Sequence, residues 1–219
     1  MTFSSCLTNH DQALVLDASV IINLLATGSV GAILQALDVR LIVTDNVVRE
    51  IGQGEVNGRQ EPKLLAELIG NQILRVEELA GPSLENFFDM ISGHTSNSLG
   101  DGEAATIAFA HNNGFSAAID EKKAARIVGE RFGALKLVTT VDILAYGPVQ
   151  ASLGHETLSN ATLRALRHAR MQVRDHQVDW IVQLIGVENL MACSSLKRHA
   201  RSKVKSLGPA TIACGDAIK

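Results

Sequence analysis

Proline and aromatic residues are scarce: the 219 residues contain four prolines, one Trp, one Tyr and six Phe. So few prolines argue against a polyproline or extended low-complexity chain, and a 46% hydrophobic content argues against long disorder. No uninterrupted apolar run approaches the roughly 18 residues needed to span a bilayer. No Lys or Arg precedes Arg40, so the charged start of a secretory signal and the arginines of a transit peptide are both missing. Cys6, Cys193 and Cys214 are odd in number and far apart, which speaks against a disulfide framework and against a CxxC zinc site. The expectation is a protein of the reducing cytoplasm without a membrane partner.

Charge is unevenly divided. Residues 1–150 carry 10 Lys and Arg against 18 Asp and Glu, whereas residues 151–219 carry 10 against 5. The net −3 therefore hides an acidic front and a basic rear.

Short apolar runs alternate with helical patterns. Ala13–Leu16, Leu41–Thr44, Ile73–Val76, Ser116–Ile119 and Leu135–Val138 read as five buried strands. Helical patterns fall at 28–37, 45–52, 60–70, 83–92, 101–113, 121–133 and 140–147, with Asp101 as a capping acid and Asn112-Asn113-Gly114 as a stop. Strands separated by helices imply parallel βαβ units, hence a three-layer α/β/α sandwich around a five-stranded, mainly parallel sheet. Residues 149–191 contain no good strand and read as a helical extension, with helices at 160–170 and 174–185. Residues 192–219 read as a basic, flexible tail.

The acids fall at meaningful places in this grammar. Asp17 follows the first strand and Asp120 the fourth, so a parallel sheet brings both to its carboxyl edge, where open α/β folds place their sites. Helix 101–113 runs into the fourth strand and must lie antiparallel to it, which delivers Asp101 and Glu103 to that edge. Glu50, in the helix leaving the second strand, is within reach. Clustered carboxylates repel unless a cation neutralises them, and an all-oxygen donor set selects Mg²⁺ or Mn²⁺. Such ions activate water for phosphodiester hydrolysis. Asp17, Asp120 and the α-helical acids also have the plainer reading of helix caps and dipole partners, although Ser19 already supplies a cap beside Asp17. Asn23 reads equally as helix surface or as a hydrogen-bond donor in the site, and Thr139 and Thr140 fall where they would line the cleft. Asp45, Asp142 and Glu121 read as caps or solvated acids.

Four segments together resemble one family. Leu16-Asp17-Ala18-Ser19-Val20-Ile21-Ile22-Asn23, Val47-Val48-Arg49-Glu50-Ile51, Leu99-Gly100-Asp101-Gly102-Glu103-Ala104 and Ala118-Ile119-Asp120-Glu121-Lys122-Lys123-Ala124-Ala125-Arg126 are similar to the motifs of PIN-domain nucleases, above all the VapC-toxin-like branch with a GEAxAIALA and IDDxxAR pattern. The resemblance spans about residues 12–148, giving a nuclease domain at 1–148. It implies the strand order 3-2-1-4-5 and a Mg²⁺- or Mn²⁺-dependent endoribonuclease. Catalytic acids would be Asp17, Glu50, Glu103 and Asp120, with metal contacts from Asp17, Asp101 or Glu103, and Asp120. Ser19 would support Asp17, and Glu121 would be an outer acid. Ala105 departs from the pattern, since many relatives carry a further acid there.

The resemblance implies RNA as substrate, and an antitoxin protein and a second copy of the chain as partners. Arg164, Arg167, Arg170 and Arg174 recur along one expected helical stripe, followed by Lys197, Arg198, Arg201, Lys203 and Lys205. Such residues would contact phosphates without reading sequence. Two other classes compete. A PIN-fold binding protein without catalysis would retain the fold alone, and a receiver-like phosphoacceptor domain would need paired acids after strand one and a Lys after strand five. Asp17 is single and Thr139-Thr140 follows the fifth strand.

Overall fold

The computed structural model describes residues 3–54, 58–92 and 98–196. At its centre are five parallel strands, β1 (Ala13–Leu16), β2 (Arg40–Thr44), β3 (Arg75–Glu77), β4 (Ser116–Ala118) and β5 (Leu137–Val138), in the order 3-2-1-4-5. Leu14 pairs with Leu41 on one side and with Ser116 on the other, which makes β1 the central strand. All four of its residues are buried, as expected of a parallel strand covered on both faces.

The period-two alternation of these strands separates two cores. Leu14, Leu16, Leu41, Val43 and Val138 face α1 (Ala18–Ala26), α2 (Val30–Gln35), α3 (Asp45–Gly52) and α4 (Glu61–Gly70). On that same face lie α8 (Thr140–Leu144), α9 (Gly147–Arg164) and α10 (Val178–Ile185). Ala13, Val15, Ile42, Ala117 and Ile119 point the other way, against α5 (Pro82–Ile91), α6 (Asp101–Asn113) and α7 (Lys122–Arg131). The result is a three-layer α/β/α sandwich, as the strand–helix alternation implies. In α6 the small residues Ala104, Ala105, Ala108 and Ala110 are fully buried and let the helix lie close on the sheet. Position 105 thus carries a packing residue.

Three local expectations are corrected. Asp17, not Ser19, is the N-cap of α1, because its carboxylate accepts from the Ser19 N–H. Gly100, not Asp101, is the N-cap of α6; Asp101 occupies the first helical position and Glu103 reaches back to the Gly100 N–H at 3.3 Å. The helix expected at 160–170 starts far earlier, at Gly147, since Pro148 fits the first turn of a helix. It breaks at Gly154, whose φ of 69° suits glycine, and after Arg164 it widens into a π-helical turn, Ala165–Ala169, ended by the left-handed Arg170. Leu158, Leu166, Met171, Val178, Ile181 and Ile185 join the same buried cluster as Leu14 and Leu16, so residues 149–196 share the core beneath the sheet. The basic run from Lys197, including Arg198, Arg201, Lys203 and Lys205, lies outside the described residues, as does Cys214. Among the described residues, no helix is long and apolar enough to cross a membrane.

Candidate active site

Parallel strands deposit the residues that follow them at one edge, and this edge gathers the acids. Asp17 leaves β1 and is 2% exposed. Its Oδ2 accepts hydrogen bonds from the Ser19 N–H at 3.1 Å and the Ser19 hydroxyl at 2.7 Å. Burial pushes its carboxyl above the usual range; the Ser19 and Ala18 donors oppose this, and the charge of Glu121 adds to it.

Asp120, two residues beyond β4, is 3% exposed. Its Oδ1 accepts from the Thr140 N–H at 2.8 Å, and its Oδ2 accepts from the Thr140 hydroxyl at 2.6 Å and from Asn23 Nδ2 at 2.7 Å. Burial raises its carboxyl despite these donors, and Asp17 raises it further. The helix that follows is capped by Glu121, not Asp120.

Two helices bring the remaining acids. Glu103, in the first turn of α6, is pushed up to about 7, first by burial and then by the charge of Asp17, with smaller contributions from Glu121 and Glu50. Glu50, in α3, lies over the start of α6, where its carboxylate accepts from the Gly102 N–H. Burial and the charges of Asp17 and Asp101 push it up. A Cβ at position 102 would collide with Glu50 Oε2 and touch Val47 Cγ2 at 3.4 Å, so the glycine between Asp101 and Glu103 permits this approach. Asp101 itself is exposed, and its charge is felt by Glu50. Glu121 accepts from the Lys123 N–H at 3.4 Å and from Gln172 Nε2 at 3.3 Å.

Asp17 is thus the shared electrostatic neighbour: Glu50, Glu103 and Asp120 all feel its charge, and it feels that of Glu121. Among the described residues, none of the ion pairs places a Lys or Arg on these acids. Four buried or half-buried carboxylates that raise one another present the charge and donor chemistry that a hard divalent cation satisfies. Among the described residues, however, no group of three or more His, Cys, Asp and Glu side chains stands ready to hold a metal ion. The acids are instead held by neighbouring N–H and hydroxyl donors of the chain.

The expected arginine stripe is dispersed by the π-helical turn. Arg164 donates to the Ala26 carbonyl at 3.3 Å and its guanidinium lies over Gly28, closing the end of α1. Arg167 donates to Asn189 Oδ1 at 2.8 Å. Arg170 is exposed. Arg174 alone of the four bonds to the acidic edge, donating to the Asp120 carbonyl at 3.4 Å. Thr139 turns away from the cleft: its hydroxyl accepts from Gln177 Nε2 at 2.8 Å and bonds to Asp142. Thr140 and Asn23, both buried, bond directly to Asp120. Gly102 was silent in the sequence except for its place between two acids.

No curated protein sequence matches the chain. A family model described as a PIN domain matches residues 13–186, from β1 to Gly186, the residue that follows α10. With that match over most of its length, and with five parallel strands in the order 3-2-1-4-5 carrying acids at their carboxyl edge, the chain belongs to the PIN-domain family, whose members are generally nucleases.

Proposed function

We propose that the protein is a divalent-metal-dependent endoribonuclease and that the acidic edge is its active site. The observation that carries this reading is the position of Asp17 at the centre of mutually repelling carboxylates drawn from four parts of the chain. Asp17, Glu103 and Asp120 would hold Mg²⁺ or Mn²⁺, with Glu50 completing the acid set; Glu103 is chosen over Asp101 because it feels the Asp17 charge. When bound, such an ion supplies a Lewis acid and lowers the pKa of a water. The chain contributes the rest. Ser19 fixes the Asp17 carboxylate through two hydrogen bonds. Glu50, seated on Gly102, ties α3 to the start of α6. Arg174 brings a cation to an edge that must admit a polyanion.

The same reading takes RNA as substrate and, following the resemblance to VapC-type toxins, an antitoxin protein and a second copy as partners. A non-catalytic PIN-fold binding protein is the second reading, favoured by the absence of a ready metal group among the described residues. The experiment is cleavage of single-stranded RNA with and without Mn²⁺. Cleavage that needs Mn²⁺ and falls at least about 10²-fold in Asp17→Asn, with the fold intact by circular dichroism, is the expected result. Equal activity in the variant removes the catalytic assignment, and calorimetry showing no Mn²⁺ binding favours the binding protein.

A further inference from the structure

We propose that the outer edge of β3 is the surface through which two copies of the chain pair, their sheets joining antiparallel about a two-fold axis at Val76. The inference rests on the second-copy part of the function proposed above and is independent of its nuclease part. β3 and β5 are the two ends of the sheet. At the β5 end the chain's own N-terminal segment is bonded in place: Cys6 Sγ donates to the Leu137 carbonyl at 3.4 Å, and Asp11 pairs with Lys136 at 2.6 Å. At the β3 end, Arg75 and Val76 are exposed, Val76 at 37%. An edge strand presents unpaired N–H and C=O groups that a further strand can take up.

The sequence of β3 selects the occupant. In Arg75-Val76-Glu77 the two charges flank Val76 and project from one face of the strand, the face of Ile42, with which Arg75 is in register. Val76 lies on the other face, beside Val43. Arg75 and Glu77 both line a cleft of about 420 Å³ with Phe109, Asn113 and Phe115. Among the described residues, neither takes part in an ion pair or a side-chain hydrogen bond. An idle cation and an idle anion therefore stand two residues apart on an uncovered edge.

A second copy running in the opposite direction satisfies both. With the pairing centred on Val76, Arg75 of each copy stands directly opposite Glu77 of the other, on the same face, so the two-fold axis creates two cross-strand ion pairs. Opposed residues lie ~4.5–5.5 Å apart; unlike charges there attract and like charges repel. Centring the pair on Arg75 or on Glu77 would set like charges opposite each other, so the pattern selects one register. Charge on a short edge strand can also serve to turn other strands away. That device works by leaving the charge without a partner, whereas a two-fold copy of this strand neutralises both signs. The contact is isologous and closes on itself, so two five-stranded sheets become one and assembly stops at the dimer.

The test is sedimentation velocity of the full chain without RNA, between about 1 μM and about 1 mM. The parent protein is expected to show a concentration-dependent equilibrium between monomer and dimer. Arg75→Glu sets like charges across the axis twice and is expected to weaken the dimer about tenfold or more. Combining Arg75→Glu with Glu77→Arg restores opposite charges and is expected to bring the dimer back to within about threefold of the parent. Val76→Cys, in a background of Cys6→Ser and Cys214→Ser, is expected to form an intermolecular disulfide with oxidised glutathione, because the opposed Cα atoms fall within disulfide reach. All variants are expected to keep the circular dichroism of the parent, since they alter exposed or half-buried side chains. A dimer that Arg75→Glu leaves unchanged, that the double exchange fails to restore, or that forms no disulfide at position 76 overturns this surface while leaving a second copy as partner. A parent protein that stays monomeric throughout the range overturns both. RNA cleavage, present or absent, decides the nuclease reading alone.

Discussion

Glu103 is the residue at which the acidic edge is most visibly under tension. Its carboxyl sits at about 7, well above its ordinary value, chiefly because burial disfavours the charge and Asp17 faces it. Between the unfolded value near 4.5 and about 7, the native chain holds a proton that the unfolded chain has lost, so stability falls as pH rises through that window. Glu103→Gln keeps an acceptor for the Gly100 N–H and removes the charge. In the metal-free protein at pH 8 the variant is expected to gain ~1 kcal/mol, the shift being discounted for partial solvent access, or about 2–4 °C in Tm. The gain should vanish near pH 4. Thermal unfolding at the two pH values checks this, and an equal gain at both would remove burial of the charge as the cause. The same substitution is expected to weaken Mn²⁺ binding, because a site that destabilises the empty fold is one that a cation relieves.

Among the elements, the contact between α3 and α6 decides whether Glu50 belongs to the site. In Gly102→Ala the new methyl takes the place of the Glu50 carboxylate, which is the end of a flexible side chain and can swing out. Alanine is favoured over glycine inside a helix by about 1 kcal/mol, which offsets the crowding. We therefore expect a Tm within about 4 °C of the parent and RNA cleavage lowered at least about tenfold. Cleavage at the parent rate would place Glu50 outside the chemistry. This element pair also shows what sequence reveals. Leu14 and Leu16 in a short apolar run, followed by Asp17, announced both strand and edge, because buried parallel strands need continuous apolar residues and end where polarity returns. The orientation of α6 followed from the parallel sheet, so the place of Glu103 at the acidic edge was legible. Asn23 as a donor and Thr140 at the cleft were among the open readings of the sequence, but their joint bonding to Asp120 was not legible, because hydrogen bonds between residues 97 and 117 positions apart leave no local pattern. The π-helical turn was equally hidden: Arg164, Arg167, Arg170 and Arg174 keep a helical spacing that the backbone does not follow.

At the scale of the whole molecule, the basic rear is built into the acidic front. Gln177 is fully buried and bonds to Thr139 Oγ1, while Ile181 and Leu166 pack in the cluster that holds Leu14 and Leu16. A chain ending at residue 148 would uncover α1, α2 and α8, on which the rear helices pack, and we expect it to show no cooperative thermal transition. Ile181→Ala in the full chain is expected to cost about 2–5 kcal/mol, read from urea unfolding; a cost below about 0.5 kcal/mol would mean that α10 contributes little to the core. Charge gives the final test. Of the four arginines between 164 and 174, Arg164 and Arg167 are engaged within the protein and Arg174 bonds to the acidic edge, so direct phosphate contacts in the proposed RNA binding are expected mainly from the five basic residues between Lys197 and Lys205. Single-stranded RNA loses ~0.7 in the slope of log K against log salt for each phosphate contact removed. Deleting residues 197–219, which removes Lys219 as well, is therefore expected to weaken RNA binding at low salt and to flatten that slope by up to about 4.2. An unaltered slope would return the task of drawing RNA toward Asp17 to Arg170 and Arg174, whose exposed and half-buried positions place them on the folded domain itself.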